Sequence, residues 1–167
     1  MGRHYDRDYY RERIEKIAQL MPESAIGADV MVGFPGETET HFINTFDLLD
    51  QLPMTYLHVF PFSLRDGTPA EKLTDHQNNA TKKERTRRLI KLGQQKRLQF
   101  HTNFIGQTLS TLVEDRRDAS SGLQVGLTNN YIKVLFPGSI PANELVDVHI
   151  THAREDLVFG ELATEKP

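Results

Sequence analysis

Two apolar runs, residues 25–32 and 55–61, constrain the fold of this chain more than any other feature. The first lies between Pro22 and a Gly33, Pro35, Gly36 cluster, and the second follows Pro53 and ends at Pro61. Runs of this kind fit strands buried on both faces of a parallel sheet. A helical stripe precedes each one. Asp6 can cap a helix carrying Tyr10, Ile14, Ile17 and Met21, and Thr38 can cap one carrying Phe42, Phe46 and Leu49. Pro22 and Pro53 close these helices. Helix, strand, helix, strand is the order of βα units in a parallel sheet or barrel. Two strands, however, neither close a barrel nor gain cover on both faces. The chain is expected to represent a fold that starts in its middle.

Residues 63–70 are expected to form a polar loop broken by Gly67 and Pro69. From 78 to 101 the chain turns basic, with Lys82, Lys83, Arg85, Arg87, Arg88, Lys91, Lys96 and Arg97 against Glu84 alone. Leu89, Leu92 and Phe100 among helix-favouring residues predict a long connecting helix. Eight cations in 16 positions exceed the usual mix, although such a run is commonly a solvated face. After Gly106 the pattern changes to short alternating segments at 107–113, 123–127, 131–136, 145–151 and 157–161. Turn signals separate them at 118–122, 128–130, 137–143 and 153–156. Five short strands so punctuated predict a small closed β-barrel. The expected fold class is therefore α/β plus β. Residues 1–77 form a barrel remnant, 78–103 the basic helix, and 104–167 the β-barrel.

Composition narrows the chemistry. A hydrophobic fraction of 38% and a charged fraction of 26% describe a globular chain. The net charge of −3 means that any polyanion must be met by local patches. No apolar run approaches the ~20 residues of a membrane span, and no secretory leader opens the sequence. The expected compartment is the cytoplasm. There is no cysteine. Disulfides, thiolate catalysis and cysteine-ligated zinc or iron–sulfur clusters are excluded within this chain.

The sharpest local feature is Asp29-Val-Met-Val-Gly33-Phe-Pro-Gly36-Glu37-Thr38, a buried strand running into a glycine-rich turn that starts a helix. Such a junction can expose backbone N–H groups and admit a ligand closely, at the face where α/β barrels bind theirs. A tight turn with no ligand explains the glycines about as well. At the second junction, alternation puts Tyr56, His58 and Phe60 on one strand face, with Ser63 and Arg65 beyond its end. Arg65 suits an anionic group. A hydrogen-bonded core histidine is as good an account of His58 as a functional one. His149 and His152, three apart on a predicted strand, should point to opposite faces and form no metal pair.

Gly33-Phe-Pro-Gly-Glu-Thr, followed by Phe62-Ser-Leu-Arg-Asp-Gly-Thr-Pro-Ala, resembles the methylthiotransferase branch of the radical-SAM enzymes. Arg3-His-Tyr and Tyr9-Tyr10 resemble the stretch just upstream in those proteins. Leu57-His-Val-Phe-Pro-Phe-Ser is most similar to the subfamily that methylthiolates N6-threonylcarbamoyladenosine beside the tRNA anticodon. Residues 106–162, with Thr128-Asn-Asn-Tyr-Ile-Lys-Val, resemble the TRAM domain that ends these enzymes.

The resemblance implies the last units of a radical-SAM partial TIM barrel followed by an OB-like TRAM barrel. The family uses S-adenosylmethionine and 4Fe-4S clusters held by cysteines. This chain lacks those cysteines, so alone it is expected to be inactive and to bind neither cofactor fully. By resemblance, Asp29, Met31, Gly33, Phe34, Pro35, Gly36 and Glu37 would line the S-adenosylmethionine pocket, and His58, Phe60, Ser63 and Arg65 the substrate side. Arg116, Arg117, Asn129, Asn130, Tyr131 and Lys133 would contact tRNA. Against this, Tyr131 could be core and the arginines a solvated turn.

No catalytic residue or metal ligand is assigned. The partners implied are the anticodon stem-loop of tRNA and the missing N-terminal part of the same protein, with self-association through open strand edges. Two alternatives stand beside this: a free-standing TRAM-type RNA-binding module with a scaffold remnant, and a degenerate S-adenosylmethionine- or nucleotide-binding protein.

Overall fold

A computed structural model describes residues 4–163. Residues 1–3 and 164–167, with Arg3 of the opening motif, lie outside the described residues. The chain forms two compact units that part after Gly93.

The first unit contains α1 (Arg7–Leu20), β1 (Gly27–Val32), α2 (Glu39–Gln51), β2 (Tyr56–Pro61) and the first half of α3 (Asn79–Thr102). Asp6 caps α1 by accepting from the Tyr9 N–H at 2.8 Å. A reciprocal pair between Thr38 and His41 caps α2. β1 and β2 pair in parallel, from Gly27 opposite Tyr56 to Val32 opposite Pro61. Ile14, Val30, Val32, Phe42, Leu49, Leu57, Leu89 and Leu92 are buried in one cluster.

Three expectations need correction. The strands are covered on one face only: Val30, Val32 and Leu57 are buried, while Asp29, Tyr56, His58 and Phe60 are exposed. The α1 stripe is likewise shallow. Ile14 is buried but Ile17 and Met21 are exposed, because the two-stranded sheet offers too little surface to bury a full helical face. The loop at 63–70 runs into a short 3-10 turn, Pro69–Lys72, with proline at its start.

The second unit is a closed barrel of β3 (Thr108–Arg117), β4 (Gln124–Thr128), β5 (Lys133–Phe136), β6 (Leu145–Ala153) and β7 (Val158–Leu162) in the order β3-β4-β5-β7-β6. All pairs are antiparallel except β5 with β7. Val113, Val134, Phe136, Val148, Ile150 and Val158 fill the interior, with Phe104 and Ile132 in the same cluster. A satellite of Val125, Leu135 and Leu157 forms a second core. Closure of so small a barrel brings strands close at two glycines. A Cβ on Gly126 would collide with the Thr111 methyl, and one on Gly160 would collide with Val148 and lie 2.6 Å from the His149 carbonyl oxygen.

Two local irregularities escaped the strand pattern. Residue 131 belongs to a turn and β5 starts at Lys133, so the third strand is shorter than alternation suggests. A register shift between Ile150 and His152 interrupts the alternation of β6. His149 and His152 are therefore both exposed, although their spacing implied opposite faces. Among the described residues no group of three or more His, Cys, Asp or Glu could hold a metal. Nor is any described helix long and apolar enough to cross a membrane.

His101, near the end of α3, is buried, with Nδ1 2.7 Å from the Arg154 carbonyl oxygen. Burial pushes its pKa down, ahead of the opposing pull of that carbonyl. The unfolded imidazole titrates near 6.5, so the stability tied to neutral His101 is intact above that pH and is lost as pH falls toward the lower folded value. The barrel unit should thus lose stability as pH falls below about 6.5. Denaturation midpoints measured across that fall in pH should decline less steeply in His101→Gln; an unchanged slope would contradict the assignment. Gly160→Ala should destabilise by about 1–3 kcal/mol through overpacking, read by urea unfolding. A wild-type midpoint would mean that the strand crossing has room to spare.

Candidate functional site

The strand ends of the first unit hold one group of candidates. Asp29 and His58 stand opposite in the register, and His58 Nδ1 lies 2.9 Å from Asp29 Oδ1. Met31 pairs with Phe60, whose ring centroid is 5.5 Å from that of His58. One exposed sheet face therefore gathers Asp29, Met31, His58 and Phe60, and His58 is not a core histidine. Ser63 and Arg65 are exposed beyond the strand end, where the Arg65 carbonyl accepts from the Thr68 hydroxyl at 2.8 Å.

The glycine-rich turn is built differently from the expected ligand cradle. Gly33 and Gly36 have φ of 74° and 80°, conformations that favour glycine. Their N–H groups do not point outward. Gly33 donates to Glu37 Oε2 at 2.6 Å, Gly36 to the Asp75 carbonyl at 3.1 Å, and Glu37 to the Phe34 carbonyl at 2.9 Å. Glu37 in turn receives Arg85 Nη1 at 2.6 Å on Oε2 and 3.0 Å on its carbonyl, while Arg85 Nη2 reaches Glu39 at 3.2 Å. The expectation of free donors at this junction is corrected because the Glu37 carboxylate takes the first of them. Pro35 is buried, Phe34 is half-buried, and the Phe34 ring meets Phe62 edge-on at 5.2 Å.

Arg85 is the residue that sequence reasoning missed. It was counted among the solvated cations, yet it is 3% exposed. Its spacing from Leu89 and Leu92 is that of one helix face, which is the signal that could have found it. Removing one partner of a buried pair leaves the other charge uncompensated, at a cost of about 3–5 kcal/mol. Arg85→Ala should destabilise the first unit by about that much and speed amide exchange at Gly33. Native-like exchange there would show that the turn stands without the arginine.

The barrel carries the second group. Between β4 and β5, Tyr131 sits at φ 63° and is 81% exposed. Thr128 holds the turn: its hydroxyl accepts from the Ile132 N–H at 2.9 Å, and its carbonyl from the Tyr131 N–H at 3.0 Å. A bulky residue in the left-handed region is disfavoured unless its surroundings impose it. Tyr131 is not core; the turn displays it. Asn129 is exposed beside it, Asn130 accepts from the Thr128 hydroxyl, and Lys133 is half-buried at the start of β5. Next to the turn, Leu127 pairs with Lys133 and with Leu112, which pairs with Leu145. Leu112 and Leu145 are 40% and 70% exposed, an apolar row that the sequence analysis did not single out.

The two arginines separate in role. Arg116 is exposed and pairs with Glu114 at 2.8 Å. Arg117 donates to the carbonyls of Gly122 at 3.0 Å and Gly138 at 2.9 Å, so its guanidinium braces two loops. In the first of these loops the Ser120 hydroxyl, then the hydroxyl and N–H of Ser121, hold the Asp118 carboxyl down at about 2.

A sequence-family comparison matches residues 103–163 to the TRAM domain. The second unit is thus a TRAM barrel. Over 141 residues the chain is 36% identical to the threonylcarbamoyladenosine tRNA methylthiotransferase MtaB of Bacillus subtilis, covering 83% of this chain and 31% of that protein. It is 39% identical over 164 residues to the tRNA-2-methylthio-N(6)-dimethylallyladenosine synthase of Desulforamulus reducens, covering 97% of this chain and 36% of that protein. MtaB of Aquifex aeolicus is 39% identical over 150 residues, covering 90% and 35%. Residues 103–163 thus match the TRAM domain, and over most of its length the chain is similar to tRNA methylthiotransferases. It spans about a third of the length of the curated relatives it matches. Relatives of both names match, so similarity does not favour one modified adenosine. An iron–sulfur cluster does not fit this chain: it has no cysteine and, among the described residues, no cluster of alternative ligands.

Proposed function

We propose that this chain is the RNA-gripping, C-terminal part of a tRNA methylthiotransferase. The observation that carries this is Tyr131, an aromatic ring held out in the left-handed region beside Asn129 and Lys133 on a TRAM barrel. Aromatic stacking, amide contacts and a cation together suit unpaired nucleotides such as those of an anticodon stem-loop. The exposed Leu112 and Leu145 would extend that contact to base or ribose faces. Arg116 can exchange its exposed pair with Glu114 for a phosphate, whereas Arg117 acts by holding the adjoining loops in place.

In the whole protein, β1 and β2 would be two strands of a radical-SAM partial barrel. The support is their parallel pairing, the cover on one face only, and the outer edges left unpaired among the described residues. Asp29, Met31 and the residue 33–37 turn would then border the S-adenosylmethionine pocket, and His58, Phe60, Ser63 and Arg65 the substrate side. The turn would contribute mainly shape there, since the Gly33, Gly36 and Glu37 N–H groups are already satisfied. The cluster thiolates would come from elsewhere in the protein, and the isolated chain is expected to be inactive. Open β1 and β2 edges also favour self-association of the isolated chain.

Filter binding of unmodified tRNA to the full chain tests this reading. Affinity should fall steeply between 50 and 200 mM salt, as phosphate contacts require, and Tyr131→Ala should weaken it about tenfold. Binding that ignores both salt and Tyr131 would remove the RNA role. A free-standing RNA-binding module predicts the same binding. It is separated by adding the preceding part of a family member in trans, which should form a complex only if the edges of β1 and β2 have natural partners.

A further inference from the structure

A groove of about 620 Å³ lies between the end of β2 and the first half of α3. Its lining includes the apolar side chains of Phe62 and Ile90 and the cationic ones of Lys82, Lys83 and Arg87. We propose that this groove holds one nucleotide of the bound RNA, its base against Phe62 and Ile90 and its phosphate against Lys83 and Arg87. The proposal rests on the RNA-binding reading but concerns a surface outside the TRAM barrel.

Phe62 is preorganised. Lys82 Nζ donates to the Phe62 carbonyl at 3.1 Å and stands 5.5 Å from the centroid of the Phe62 ring, while Phe34 meets that ring edge-on at 5.2 Å. Lys82 is thereby occupied in fixing Phe62. Ile90 remains 44% exposed although it faces a cavity. The other two cations are available. Lys83 is exposed and has no ion-pair partner among the described residues. Arg87 pairs with Glu84 at 2.8 Å on a side chain 77% exposed, and such a pair contributes little and yields readily to a phosphate. Positions 83, 87 and 90 follow helical spacing, so the two charges and the apolar side chain share one face.

A volume of this size is in the range of sites for small organic ligands and exceeds what a lone anion needs. A lining that combines apolar side chains with cations matches a base and its phosphate. An acidic peptide with an apolar side chain is the competing occupant.

Binding of an unmodified tRNA transcript should be compared in wild type, Lys83→Glu/Arg87→Glu, and a charge-matched control, Lys16→Glu/Lys91→Glu, whose positions lie outside the groove. The groove variant should lose at least tenfold more affinity than the control, and Ile90→Gln should lose about threefold with no change in salt slope. Circular dichroism should remain native, because these side chains are exposed. Equal losses in groove and control variants would overturn the proposal and attribute the effect to overall charge. If tRNA binding is lost only in Tyr131→Ala and untouched by the groove variants, the barrel reading survives and the groove is left to a protein partner. No binding by wild type would overturn both.

Discussion

The ion pair between Arg85 and Glu37 is the contact on which the first unit depends. One guanidinium on α3 reaches the carboxylate and carbonyl of Glu37 and the carboxylate of Glu39. Glu37 passes the constraint on to the Gly33 N–H. The strand-to-helix turn, the start of α2 and the first half of α3 are thus tied through a single buried cation. Charges taken out of water in this way add little net stability against an apolar alternative, but they penalise every arrangement that separates them. The pair fixes a geometry. Lys82, one turn earlier on the helix, completes it by pinning Phe62 after β2.

The barrel is organised by a different constraint, steric closure. Gly126 and Gly160 let strands approach where a methyl group would collide, and valines fill the interior that remains. Closure leaves no open strand edge in this sheet. The turns are then the places where a rigid frame can present a strained residue. The Thr128 hydroxyl and carbonyl hold the turn that displays Tyr131. A single small side chain thereby converts a hairpin connection into a displayed aromatic surface.

Much of this was legible from sequence. Pro22, Pro53 and the caps Asp6 and Thr38 bound the helices, and turn residues after Gly106 punctuate five strands. What was not legible depended on partners far away in sequence. Arg85 reads as one cation among eight until its 48-residue reach to Glu37 is known. Arg117 reads as a phosphate ligand until two loop carbonyls claim it. The glycines at 33 and 36 suggested a ligand cradle because glycine signals backbone freedom and says nothing of where the N–H groups point. Alternation failed at His152 because one inserted residue in β6 resets it. Burial on both strand faces was expected from apolar content, whereas cover comes from neighbours that these two strands do not have among the described residues.

The central claim is that RNA is held at a displayed turn of the TRAM barrel. Titrating unmodified tRNA into the ¹⁵N-labelled chain and following amide shifts would test it most directly. The account predicts that the largest shifts fall on residues 129–133 and on Leu112, with α1 unmoved. Saturable binding that shifts α1 and leaves residues 129–133 in place would contradict it.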